Sequence, residues 1–338
     1  MHRCILPLAA LLILAPTALS AQLTSAAVKP EEPAAAGSPA SPPNLTLSHS
    51  HVEDWTILSL SKSRLPLTAP NAVLLSKSEI EGGCTRELLR LQWRPNDPID
   101  LYLVRPAGAQ KMPVVLFLYN YTADDAVFRE DRWCSRVTQN GFAMAGFATA
   151  LSWPRMRPPR PMKEWFVSEL QEALATSAHD VQMMLNYLET RDDLDLRRVG
   201  IFGQGSGGAV AILAASVDPR IKALDLIDPW GDWPDWLRLS PQIPGAERAA
   251  YLRPDFLARV STLDPAGYLP QLKGRAIHIQ LVSNELVTPT VAKDKMAAAA
   301  PDTATVSRYP NAKAEAEALG ANGILGWLAS EVHAGSSQ

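Results

Sequence analysis

The ten residues Val199 to Gly208, Val-Gly-Ile-Phe-Gly-Gln-Gly-Ser-Gly-Gly, constrain the fold of this chain more than any other stretch. A short apolar run ends in a glycine-rich turn and opens into the alanine-rich Ala209 to Ser216, which predicts a strand, a tight turn and a helix in succession. Gly203, Gly205, Gly207 and Gly208 are residues small enough for strand and helix to approach closely. The tip between Gly203 and Gly207 is Gly205. Ser206 is the nearest hydroxyl, one residue further into the helix.

The flanking segments repeat the same alternation. Arg86 to Trp93 and Ile99 to Val104 are strand-like runs joined by Arg94-Pro95-Asn96-Asp97-Pro98, a strong turn signal, and predict a hairpin. Pro113 to Tyr119 is a continuous apolar run, as in a strand buried on both faces. Asp124 or Asp125 is placed to cap a helix that ends at Asn140-Gly141, and Phe142 to Ala150 is the next strand. After the loop Trp153 to Pro161, helical periodicity covers Glu164 to Glu189, and Arg198 to Gly203 is the strand feeding the turn. Strands at Ile221 to Ile227, Ala276 to Val282 and Ala304 to Tyr309 follow, with an insertion over 228–272, a helix before the last strand and a final helix near Ala314 to Val332. This order predicts an α/β fold: a mostly parallel sheet with helices on both faces and an N-terminal β-hairpin.

Residues 1–20 combine a basic start, the apolar core Ile5 to Ala15 and the small-x-small site Ala18-Leu19-Ser20, and read as a secretory signal peptide. The apolar run is shorter than the ~20 residues a spanning helix needs, so the chain is expected to be exported, periplasmic or extracellular, and not membrane-spanning. Residues 21–50, rich in Ala, Pro and Ser, read as a disordered leader. The segment 51–85 reads as an irregular extension packed against a main domain over 86–335. Cleavage would leave two cysteines in an oxidising compartment; a Cys84–Cys134 bridge and two buried free thiols both stay open. A formal charge of -3 and a pI near 6.1 give no electrostatic footprint for nucleic acid. No metal or cofactor is expected, and the expected partner is a small-molecule ligand.

From roughly Arg86 to Val332 the order of elements, with the glycine turn after the fifth strand, resembles the α/β-hydrolase superfamily, in particular its dienelactone-hydrolase and prolyl-oligopeptidase-like branches. The resemblance implies a nucleophile elbow Gly-x-Ser-x-Gly at Gly203 to Gly207, where the nucleophile position holds Gly205. It implies an acid after the seventh strand, where Glu285 stands four residues before Pro289, with Asp228 as the alternative. It implies a histidine after the eighth strand. There Tyr309-Pro310-Asn311-Ala312-Lys313-Ala314 carries the frame without a histidine. Beyond the signal segment the histidines are His49, His51, His179, His278 and His333, and only His333 lies near the right end of the chain. The oxyanion-side loop, which usually begins His-Gly, reads Tyr119-Asn120-Tyr121-Thr122, while the N–H of Ser206 at the helix start can still bind an anion.

These departures point to a hydrolase-like pseudoenzyme that acts as a binding or scaffold module. The alternative is an esterase or peptidase-like enzyme with a rearranged site of Ser206, Glu285 and His333. Trp230, Trp233 and Trp236 in the insertion offer either a space-filling cluster or a stacking surface for a flat or sugar-like ligand, with Asp232 and Asp235 as acceptors. A third reading takes Gly203-x-Gly205-x-x-Gly208 as a dinucleotide fingerprint with Asp228 as its ribose acid, but that fingerprint belongs to a first strand and helix.

Overall fold

A computed structural model describes residues 53–63, 70–94, 97–109, 111–121, 125–152, 155, 162–319 and 323–334. The expected signal segment and leader, with His49 and His51, lie outside these residues, as do Thr122, Asp124 and most of the loop 153–161. Among the described residues nine strands form one sheet: β1 (Ala72–Ile80), β2 (Cys84–Arg94), β3 (Asp97–Pro106), β4 (Met112–Leu118), β5 (Ala143–Phe147), β6 (Leu194–Gln204), β7 (Ile221–Ile227), β8 (Ala276–Val282) and β9 (Thr305–Tyr309). Their order is β1-β2-β3-β5-β4-β6-β7-β8-β9. The first three strands pair antiparallel, β3 pairs antiparallel with β5, and from β5 onward all pairs are parallel. All seven residues of β4 are buried, as its continuous apolar run requires between two parallel neighbours.

Strand β1 corrects the reading of the stretch before Glu81 as irregular. It is a sheet edge whose Val73, Leu74 and Leu75 are 59%, 52% and 44% exposed, so neither alternation nor a buried run marks it. Backbone pairing with β2, from Ala72 opposite Leu91 to Ile80 opposite Cys84, holds it instead. The glycine turn therefore follows the sixth strand, not the fifth.

The helices are α1 (Arg132–Asn140), α2 (Met162–Glu189), α3 (Ser206–Val217), α4 (Trp233–Leu239), α5 (Arg248–Tyr251), α6 (Pro254–Val260), α7 (Pro265–Tyr268), α8 (Thr290–Ala299), α9 (Ala312–Leu319) and α10 (Gly323–Ala334). Helices α1 and α10 cover one face of the sheet; α2 and α3 cover the other. Asp125 does not cap α1: its carboxylate accepts from Arg129 and the Tyr102 hydroxyl within a 3₁₀ turn, and Asp131 precedes the helix. Gly141 ends α1 in the left-handed conformation, φ 68°. The expected final helix is two helices, α9 and α10. The insertion between β7 and β8 is built from α4 to α7; the Asp264 carboxylate ties its ends by accepting from the N–H groups of Asp232, Trp233 and Ala266.

Two fastenings hold the N-terminal part of the described chain. Residues 53–63 run along α2: Leu58 and Leu60 enter the core, and Gln182 donates to Leu58 O and accepts from Leu60 N–H. Glu53 bonds Arg94 at 2.7 Å and His179 at 2.6 Å, and Arg94 and Arg155 converge on Asp180, which is fully buried. Cys84 at the start of β2 is disulfide-bonded to Cys134 in α1, with Cα atoms 5.5 Å apart.

Candidate functional site

The turn between β6 and α3 is set by close approach. A Cβ on Gly207 would fall 2.1 Å from the carbonyl oxygen of Leu118, and one on Gly203 would fall 2.6 Å from Cα of Gly208, so both positions accept only glycine. Gly205 has φ 54° and ψ -116°, a conformation that side chains rarely adopt. Its N–H donates to Ile227 O at 2.9 Å, and its carbonyl accepts from the N–H of Trp230 at 3.0 Å and of Ala209 at 3.2 Å. The strained tip of the turn is therefore held from β7 and from α3, with no side chain at its apex.

The space above it is filled by Asn120. A Cβ on Gly205 would stand 2.6 Å from Asn120 Oδ1 and 2.8 Å from its Cγ, so the carboxamide occupies the position of a nucleophile's side chain. Asn120 Oδ1 accepts from the Tyr121 N–H at 2.9 Å, the Ser206 N–H at 3.3 Å and the Ser206 hydroxyl at 3.3 Å. An oxyanion hole on this architecture is made of the N–H after the nucleophile and an N–H from the loop after the central strand. Ser206 and Tyr121 supply that pair, and a carbonyl oxygen of the chain itself sits between them. Sequence reasoning named Asn120 and Ser206 for this loop and turn; that the carboxamide fills the gap over Gly205 has no signal in the sequence.

The candidate acids are engaged elsewhere. Asp228, at φ 42°, accepts from the Val282 N–H at 3.0 Å and from Lys293 Nζ at 3.0 Å; burial pushes its carboxyl up to about 6 against these two donors. Glu285 accepts from the N–H groups of Val287 and Thr288 at 2.7 and 3.0 Å, a turn cap before α8. Lys293, 2% exposed, donates to the carbonyls of Val282 and Glu285 and lies 3.5 Å from the Glu285 carboxylate. This lysine is the residue the sequence reading missed. Its only sequence signal is its place beside Ala292 and Met296 on the buried side of α8.

His333 faces Asn140 O at 3.0 Å and packs over Gly141. That is where β5 begins, the opposite end of the sheet from the tip of β6. Ser206, Glu285 and His333 are not brought together. His179 is spent on Glu53 and on Ile57 O. His278 lies between Ser307 at 2.9 Å and Asp225 at 3.4 Å, beneath the Trp327 ring, and links β7, β8 and β9 across the α10 face.

The tryptophans of the insertion are core residues. Trp230, Trp233 and Trp236 are 1%, 0% and 0% exposed, with Trp236 at 4.6 and 5.9 Å from the other two rings, so they offer no open stacking surface. Asp232 and Asp235 share Lys295. Lys295 and Arg238, working against the cost of burial, hold Asp235 down at about 2. The glycine fingerprint opens the sixth strand's helix, and its proposed ribose acid, Asp228, is bound to Lys293. Neither suits a dinucleotide.

Among the described residues no group of three or more His, Cys, Asp or Glu side chains is placed to hold a metal ion, and no helix is long and apolar enough to cross a membrane.

A mostly parallel sheet with a strand–turn–helix elbow at its centre is shared with several solved structures. Acetyl xylan esterase 1 from Thermoanaerobacterium sp. JW/SL YS485 superposes with a TM-score of 0.58 at 14% identity, over 72% of this chain and 82% of that one. A glucuronoyl esterase from Solibacter usitatus gives 0.52 at 16% identity, over 79% and 86% of the two chains. A cold-adapted esterase from an Arctic intertidal metagenomic library gives 0.51 at 13%, over 76% and 97%. No family model and no curated protein matches the chain in sequence. The chain has the α/β-hydrolase fold.

Proposed function

We propose that this is an exported α/β-hydrolase-fold protein that does not hydrolyse esters and that uses the elbow to bind a small ligand through a carbonyl or carboxylate oxygen. The observation that carries the reading is Asn120 over Gly205: position 205 has no side chain to form an acyl-enzyme, and the N–H groups of Ser206 and Tyr121 already hold a carbonyl oxygen. A carboxylate competes well for such a position, because charge-assisted hydrogen bonds are roughly twice as strong as neutral ones. The frame after β9 holds Ala314 in place of a base, and both nearby acids are bound by Lys293. Export rests on the residues Met1 to Ser20, and N-terminal sequencing of secreted protein is expected to begin at Ala21 or its neighbours.

Because acetyl xylan esterases and a glucuronoyl esterase share the fold, turnover of p-nitrophenyl acetate and of acetylated xylan oligomers tests the proposal. Purified chain is expected to release acetate no faster than buffer. Turnover abolished by Ser206→Ala would replace this reading with the rearranged site. On the binding side, benzoate is expected to raise the melting temperature more in Asn120→Gly than in the wild type, since the carboxamide no longer competes.

A further inference from the structure

A cavity of about 420 Å³ lies on the α1 and α10 face of the sheet; Tyr119 and Ile227, neighbours of the turn, line it, but Gly205 and Asn120 do not. Its floor is aromatic, from Phe117, Phe202 and Trp133, with ring centroids of Phe117 4.7 Å from Trp133 and 5.5 Å from Phe202. One wall is α1, which contributes Arg136; its guanidinium stands 5.2 Å over the Trp133 ring and makes no ion pair among the described residues. The other wall is α9, which contributes Glu315. That side chain is half-buried, its Oε1 is closed off from solvent, and it takes neither a hydrogen bond nor an ion pair among the described residues. Tyr119 lines the same space, and its hydroxyl has no hydrogen-bond partner among the described residues.

An unpaired cation and an unpaired anion facing one cavity, with an apolar floor between them, are an unusual combination. A buried carboxylate oxygen without a donor is costly, and none is supplied to it among the described residues. The carboxylates of Asp225 and Asp228 deepen the negative field at the Glu315 end, where burial and these two charges raise its carboxyl above the usual range. A cation at that end would partner the Glu315 carboxylate. The volume lies within the range of small-ligand sites, about 300–1,000 Å³, and the polar groups are few and convergent.

We propose that this cavity binds a zwitterion with an apolar body, a hydrophobic amino acid or dipeptide, its ammonium on Glu315, its carboxylate on Arg136 and its side chain on the aromatic floor. The site includes neither Gly205 nor Asn120 and does not rest on the reading of the elbow.

Calorimetric titration of the full chain with phenylalanine and with leucyl-phenylalanine tests the proposal. At least one is expected to bind, and N-acetylation and C-amidation of that probe are each expected to weaken binding by roughly tenfold or more, as the loss of a charged hydrogen bond implies. In Glu315→Gln the acetylated and free forms are expected to bind alike, and in Arg136→Gln the amidated and free forms. The masked probes act on the wild-type chain, so the result does not depend on a variant folding. Absence of binding by both free probes would overturn the proposal. So would binding indifferent to both masks, or binding that needs only one of the two charges.

Discussion

Gly205 and Asn120 act as a pair. At φ 54° and ψ -116° a residue with a side chain costs of order 1–3 kcal/mol, a strain that glycine avoids and that a working elbow must carry. Gly205→Ser is therefore expected to lower stability by about that amount in urea unfolding, with part of it arising from Asn120, whose Oδ1 lies 2.6 Å from the new Cβ. Asn120→Gly in the same chain is expected to recover that part, because the obstructing atoms belong to a side chain and not to the backbone. Gly205→Ser alone is expected to yield little turnover, since Ala314 stands where the resemblance places the histidine that would take the serine proton. Adding Ala314→His is expected to give more than either change alone, as groups acting as a unit are not additive. The glycines at 203, 205 and 207 were legible in the sequence because close approach and a strained turn leave few residues to choose from. The place of the Asn120 carboxamide over Gly205, and Lys293 altogether, were not, because their roles depend on where distant segments meet.

Among elements, the strap over 53–63 shows how much of the molecule escapes periodicity. Its anchors are a carboxylate and an imidazole 126 residues apart in sequence, and no local pattern announces such a pair. Edge strand β1 escaped for a related reason: backbone pairing, not side-chain burial, defines it. The buried strands β4, β6, β7 and β8 were legible because burial on both faces imposes a composition. Burial would raise the Glu53 carboxyl, but hydrogen bonds and charge from Arg94 and His179 outweigh it and lower it from 4.5 to about 2. A depressed acid stabilises the fold above its unfolded value and loses that contribution as pH falls through the folded one. The urea midpoint is thus expected to fall between pH 4.5 and 2 in the wild type, with a component absent from Glu53→Gln. At pH 6 that variant is expected to be less stable by about 1–3 kcal/mol, the cost of weakening hydrogen bonds to a charged partner.

The molecule as a whole carries the α/β-hydrolase fold with a glycine, Gly205, at the tip of the turn between β6 and α3. The disulfide between Cys84 and Cys134 closes a loop of 50 residues that includes β3, β4 and the Asn120 loop, and so stiffens the wall from which the carboxamide reaches Gly205. Its replacement by Cys84→Ala with Cys134→Ala is expected to cost about 2–4 kcal/mol in unfolding experiments. The surrounding core, from β4 through α3, is closed by apolar side chains, and Gly205 contributes no side chain to it. The central claim is that this elbow cannot form a covalent intermediate. Intact-mass spectrometry of the purified wild-type chain after prolonged exposure to a serine-reactive fluorophosphonate tests it most directly. The account predicts an unchanged mass. A stoichiometric adduct that maps to Ser206 and disappears in Ser206→Ala would contradict it.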